Sequence, residues 1–493
     1  MIRFFYILFS LGCLFVLAGG CSAPQAPVAA GRIDAEPSVF PDYAGVTIPA
    51  AIAPLHFRVD SHPKACAVFQ AGDVSFPVYA ADGVIAVPAG EWKRLTASAT
   101  GKEIEVTVLV NEKEGWKAFR PFTIGVSADP IDPYIAYRLI DPGYQLWSEM
   151  GIYQRELASF TQEPILENRQ TDDNCMNCHS FHSGDPEKML LHIRAKHGCT
   201  VLVQNGRIET LDTKTEHTLS ALVYPSWHPS GRYIAFSVNN TTQETHPVHR
   251  TEVFDKASDV VMYDVEKKEV FTAFPLFSPA RFETFPAFSP DGKTLYFCSA
   301  PALPVPDSLQ RLQYSLCKIA FDPEKRKFGT TVDTLYRAET NGKSILFPRV
   351  SPDGRFLLAT VTAYGTFPIW HKDADLYMLD LATGEEVPTD AANSPDTESY
   401  HSWSSNGKWM VFSSRRIDGL HTRPFIAHVD ERGVLSKPFL LPQASPDYYR
   451  GLTKSYNIPE FVKGKVKVNP YRLATKIKEG KNMPVSFAQG TGK

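Results

Sequence analysis

The sequence predicts a mainly β chain whose larger part is a ring of repeated antiparallel sheets. Three observations carry this expectation. A strand–turn–strand unit recurs four times in the C-terminal half. Aromatic residues make up 12% of the chain, with 31 Phe and 20 Tyr beside 38 Pro and 31 Gly, a composition of short strands joined by many turns. Hydrophobic residues make up 43%, enough to bury a core. At 493 residues the chain exceeds one ordinary compact domain, so two or three units are expected.

The N-terminus reads as a targeting segment. Arg3 is followed by an apolar run from Phe4 to Val16 and then by Leu17-Ala18-Gly19-Gly20-Cys21. Such a run is too short to span a bilayer and ends in small residues, so residues 1–20 read as a signal peptide. Small residues directly before a cysteine resemble the lipobox of bacterial lipoproteins, with Leu17 one place further back than in the commonest form. That resemblance implies acylation of Cys21 and a lipid anchor, with the protein held to a bacterial membrane, the outer one, facing the periplasm or the cell surface. Residues 21–44, rich in Ala and Pro up to Gly31, are the expected tether.

Residues 45–126 are expected to form a small β-sandwich. Ile104, Val106, Val108 and Val110 alternate with their neighbours in a period of two, and Leu55–Val59 and Phe119–Ile124 read as further strands, the latter demoted to an edge by Pro121. Residues 127–188 read as a linker, with Leu146, Met150, Tyr153 and Leu157 spaced for one face of a helix over Tyr144–Phe160.

Residues 189–460 carry the repeats. Asn205-Gly206 between apolar runs signals a hairpin, because both turn residues must take positive φ. The runs Tyr224–Ser237, Phe285–Cys298, Phe347–Thr360 and Tyr400–Ser413 each place a tight turn between two strands, with turn glycines at 231, 292, 354 and 407, spaced by 61, 62 and 53. A further strand follows at Asp259–Val265 and at Asp375–Leu381. One such unit cannot bury both of its faces, so several must pack side by side. The pattern resembles the TolB-like propeller repeat over about residues 190–440. It departs from that repeat at Ser230, Val350, Ser405 and Asn406. The resemblance implies a propeller, here of about six blades, with the fifth and sixth supplied by the Asn205-Gly206 hairpin and the segment after Val434. Residues 461–493 are locally basic, through Lys463, Lys465, Lys467, Arg472, Lys476, Lys478 and Lys481, and read as a strap or loose end.

Chemistry concentrates at Cys175-Met176-Asn177-Cys178-His179. Two thiols at this spacing can add to the two vinyl groups of a haem, and the adjacent His179 then reaches the iron as an axial ligand. The motif also looks like sites in multihaem cytochromes, and attachment of haem c outside the cytoplasm agrees with the signal segment. His192 or Met189 is the candidate sixth ligand. Zinc is the alternative, through Cys175, Cys178, His192 and His197, with Cys199 able to replace a histidine. A disulfide between Cys175 and Cys178 is the third reading. Cys66, Cys199, Cys298 and Cys317 remain, either as buried thiols or as disulfides, with Cys298–Cys317 the plausible pair. His228, His246, His249, His401 and His421 are loop and repeat residues that could meet near a propeller mouth.

The net charge of −3 gives no basis for nucleic-acid binding. No G-x-S-x-G elbow, phosphate loop or dinucleotide fingerprint occurs. Two functions remain: a monohaem electron-transfer or redox-partner protein of the envelope, and a non-redox module that binds an envelope protein or a glycan.

Overall fold

A computed structural model describes residues 25–142, 149–248 and 250–488. The signal segment and Cys21 lie outside the described residues. No described helix is long and apolar enough to cross a membrane.

The chain is mainly β and forms a propeller. Among the described residues, six sheets of four or five strands follow one another around one channel. In blade 1, Tyr134–Ile140, Gly151–Glu156 and Gln162–Glu167 are joined by Ser455–Val462 from near the C-terminus. Blade 2 opens with Met176–Phe181 and continues through Lys188–Ile193, Cys199–Gln204 and Arg207–Asp212. The first strands of blades 3 to 6 are Val223–Trp227, Arg281–Phe288, Ser344–Val350 and Glu398–Trp403. These first strands touch one another in sequence, and Ser455–Val462 touches both Glu398–Trp403 and Met176–Phe181. The C-terminal strand thus closes the ring, and without it Tyr134–Ile140 of blade 1 would be left as an unpaired edge.

The segment expected to be a linker is therefore part of the propeller. Residues 151–156 are strand, not helix. The apolar residues around Tyr144–Phe160 face two different layers: Met150 and Ile152 pack toward blade 2, and Leu157 toward the N-terminal domain. A strand buried on both faces loses its period of two, and helical spacing then arises by accident. Residues 143–148 lie outside the described residues.

The N-terminal domain is a sandwich of a seven-stranded and a three-stranded sheet with one helix, Ala89–Ser98. Phe57 of the small sheet meets Phe69 and Phe122 of the large one, with ring centroids 6.2 and 6.3 Å apart. Ile104, Val106, Val108 and Val110 are all buried, as their alternation requires. Pro121 ends one strand, and Phe122–Ser127 pairs on both sides rather than at an edge. Two parts of the expected tether also pair into these sheets, Gly31–Ile33 and Val39–Phe40. This domain shares one apolar core with blades 5 and 6. Trp409 of blade 6 is fully buried there and donates through Nε1 to the Asp129 carbonyl at 3.2 Å, while Asp132 accepts from the Ser405 amide and hydroxyl at 2.6 and 2.7 Å.

The basic tail is a packed strap. Asn469 caps the helix Pro470–Lys478 by accepting from the Tyr471 and Arg472 amides, and Leu473, Ala474 and Ile477 bury their side chains in the layer between blades 1 and 2. Met483–Pro484 and Ser486–Phe487 then extend the outer edges of blades 2 and 3. Of the two readings for the remaining cysteines, buried thiols hold: Cys66, Cys199, Cys298 and Cys317 are all free and buried. Cys298 stands opposite Leu316, and Cys317 opposite Phe297. One residue of offset puts the two sulfurs on opposite faces of the sheet.

Because Trp409 fills the shared core and carries a hydrogen bond across it, Trp409→Ala is expected to lower unfolding stability by about 3–5 kcal/mol. Denaturant unfolding of the full chain measures this, and a loss below about 1 kcal/mol would contradict a shared core.

Candidate functional site

The channel is built by one irregularity that occurs in every blade. Each innermost strand carries one residue more than its neighbour in the ladder. The bulges fall at Asn457-Ile458-Pro459-Glu460, Asn177-Cys178-His179-Ser180, Val223-Tyr224-Pro225-Ser226, Thr284-Phe285-Pro286-Ala287, Leu346-Phe347-Pro348-Arg349 and Ser399-Tyr400-His401-Ser402. The first bulge residue takes a left-handed conformation in five of them: φ is 51° at Ile458, 51° at Tyr224, 49° at Phe285, 55° at Phe347 and 51° at Tyr400. Bulky residues rarely adopt this conformation, and here the bulge re-aims them into the channel. Tyr224, Phe285, Phe347 and Tyr400 form a continuous aromatic band, with successive ring centroids 4.9, 4.0 and 5.3 Å apart.

Cys178-His179 is the blade 2 copy of this bulge. His179 stands where blades 1, 3, 4 and 5 have proline and blade 6 has His401. A central cavity of about 690 Å³ runs along the channel, and both Cys175 and His179 line it. The aromatic band and Ile458 line it as well. His179 is 3% exposed, and neither of its ring nitrogens makes a full hydrogen bond, although the Ile458 backbone lies within reach of the ring. Burial, with the positive charge of Arg138 second, pushes its pKa down to about 3. The imidazole is therefore held in its neutral form.

The other histidines go elsewhere. His192 lies opposite Asn177 on the next strand, its Nδ1 3.2 Å from the Thr200 hydroxyl, and faces a separate cavity of about 630 Å³ beside Thr213 and Asn239. Met189 is buried in the apolar layer between blades 1 and 2. Neither candidate sixth ligand lines the central cavity. His197 pairs with Asp172 at 2.9 Å. Among the described residues no three His, Cys, Asp or Glu side chains gather to hold a metal ion. His228 is held by Gly292 and Ser230, and His421 by Asp418. His249 lies outside the described residues. Among the described histidines that could have met near a mouth, His228, His246 and His421 do not line the cavity, while His401 does, donating through Nε2 to the Leu358 carbonyl at 3.1 Å.

The residues that sequence reasoning missed are charged. Arg138, Arg194, Arg349 and Glu460 all line the cavity. Burial raises Glu460 to about 8, and its Oε1 accepts from the Phe181 amide at 3.1 Å. Arg349 and Glu460 hold the same place in their bulges, the residue after proline, so an alignment of all six inner strands would have exposed them.

No protein-family model matches the sequence, and no curated protein matches it. Solved structures similar in fold include a puromycin-hydrolysing peptidase of Mycobacterium tuberculosis, at 13% identity and a TM-score of 0.35 over 70% of this chain and 52% of that one. The periplasmic gluconolactonase of Pseudomonas aeruginosa matches at 13% identity and a TM-score of 0.35, over 66% of this chain and 99% of that one. The β-propeller domain of Cps50 (Swd1) from Myceliophthora thermophila matches at 10% and 0.31, over 64% and 90%. The chain thus spans about half the length of the peptidase. These likenesses concern the fold alone.

Buried neutral histidines make stability fall in acid. His401 is held at about 3 by burial, and its unfolded value is near 6.5. The unfolded chain then binds the extra proton below pH 6.5, which destabilises the fold down to about pH 3. Between pH 7 and 5 the native chain is expected to lose about 2 kcal/mol more than His401→Gln, read from denaturant unfolding at both values.

Proposed function

We propose that this chain is an exported, lipid-anchored propeller protein that carries one covalently attached haem c in its central cavity and serves electron transfer, or a redox-partner role, in the cell envelope. The observation that carries the reading is His179: a neutral, buried imidazole whose ring nitrogens make no full hydrogen bond, lining the same cavity as Cys175. The residues present fit the group. Cys175 and Cys178 would take its two vinyl carbons, and His179 its iron.

When bound, such a group supplies one-electron redox chemistry. The chain's own residues supply the setting. The aromatic band of Tyr224, Phe285, Phe347 and Tyr400 gives the cavity an apolar wall that keeps water from the ligand nitrogen. Arg138 and burial keep His179 unprotonated, so its lone pair stays available. The lipid anchor rests on Cys21 and the segment before it, and it would hold the propeller at a membrane surface close to envelope partners. A non-redox module binding a protein or glycan at the propeller mouth is the other reading, and it uses the cavity without the thiols.

The visible spectrum decides between them. Protein made in a host able to mature c-type cytochromes, reduced in alkaline pyridine, is expected to show a sharp α-band that survives acid–acetone extraction and disappears in Cys178→Ala. A flat spectrum moves the assignment to the binding module. Cys21→Ser is expected to shift the protein from the membrane fraction to the soluble one, read by fractionation and intact mass. Retention in the membrane with unchanged mass would remove the anchor.

A further inference from the structure

Arg138 and Arg349 both line the central cavity, and neither makes an ion pair among the described residues. Arg138 is 9% exposed. Its Nη1 donates to the Met176 carbonyl at 3.3 Å, its Nε has no partner, and Nη2 reaches the Asn457 amide oxygen at 3.2 Å once that amide is turned. Arg349 donates to the carbonyl of the adjacent Pro348 at 3.1 Å. Both side chains line the cavity, and Arg138 Nε is buried there without a partner. A buried guanidinium without an anion is expensive, since its desolvation goes uncompensated. Glu460 lies close enough to Arg349 for the two to interact, yet they form no ion pair, and burial raises the Glu460 carboxyl.

We propose that Arg138 and Arg349 form a carboxylate-binding pair within the central cavity, and that in the mature protein they hold the propionates of the tetrapyrrole. The inference rests on the haem reading for its ligand. The chemistry is wider than that reading, because a guanidinium fork matches any carboxylate. Carboxylates could come from a haem or from a free small acid, and the two sources are separable by experiment.

The test uses the full chain with Cys175→Ala and Cys178→Ala, so that no covalent attachment occurs. Mesoporphyrin IX, which carries two propionates, and its dimethyl ester are titrated by fluorescence. The diacid is expected to bind about ten-fold or more tightly than the ester, as a charge-assisted hydrogen bond warrants. In Arg138→Leu/Arg349→Leu the preference should vanish while ester affinity stays the same. Arg138→Lys should keep part of it, which guards against a variant that merely misfolds. If the background protein binds neither porphyrin, citrate is the second probe. A rise in Tm with citrate that the double leucine variant abolishes keeps the carboxylate pair and removes the haem. Equal affinity for diacid and ester, a preference that survives the double variant, or no response to porphyrin or citrate overturns the inference.

Discussion

The structure depends on one backbone constraint, the single extra residue in each innermost strand. Without it, the ladder of each blade would carry side chains alternately to its two faces, and the channel would be lined by whatever the alternation allowed. With it, one bulky side chain in each of five blades is forced into the channel in a left-handed conformation that costs on the order of 1 kcal/mol each. Proline follows in four of the six bulges, at Pro225, Pro286, Pro348 and Pro459. It has no amide to leave unpaired where the ladder is interrupted. The two exceptions, His179 and His401, therefore stand where the repeat is otherwise fixed by backbone chemistry, and both side chains line the cavity.

Placing histidine there has electrostatic consequences. Inside a ring of packed blades no water compensates a charge, so His179 and His401 are driven to their neutral forms and Glu460 to its acid form. The arginines cannot follow, because guanidinium stays charged. The outcome is a cavity with neutral bases, a neutral acid and fixed cations. His401 settles its hydrogen bond on the Leu358 carbonyl, whereas the ring nitrogens of His179 make no full hydrogen bond.

Four blades were legible in the sequence because their turns are: Pro or Ser before Gly, with apolar flanks, survives in each copy. The hairpin at Asn205-Gly206 was legible for the same reason, and it is the outer pair of blade 2. Blade 1 was not. Its strands are buried on both sides, against blade 2 and against blade 6, so no alternation remains, and its innermost strand comes from the far end of the chain. The helix expected over Tyr144–Phe160 came from that loss of pattern. At the site, Cys175 and His179 were legible from spacing, but Arg138, Arg349 and Glu460 were not, because nothing local marks a lone charge for burial.

The motif sits at the seam of the ring. Met176–Phe181 is the first strand of blade 2, and its neighbour in the ring is Ser455–Val462, the strand that closes blade 1 from the C-terminus. Glu460 of that strand accepts from the Phe181 amide, and Asn457 stands beside Arg138. The walls around His179 thus come from residues about 280 positions apart and exist together only after the chain has been made to its end and the ring has closed. Loop closure over such a span is slow compared with forming any single blade. Until it happens, Cys175 and His179 belong to an open sheet edge, reachable from solvent. Afterwards His179 is sealed. Any chemistry that modifies the thiols has its natural window before the last strand docks, and the strap of Pro470–Lys478, packed over blades 1 and 2, then holds that seam shut.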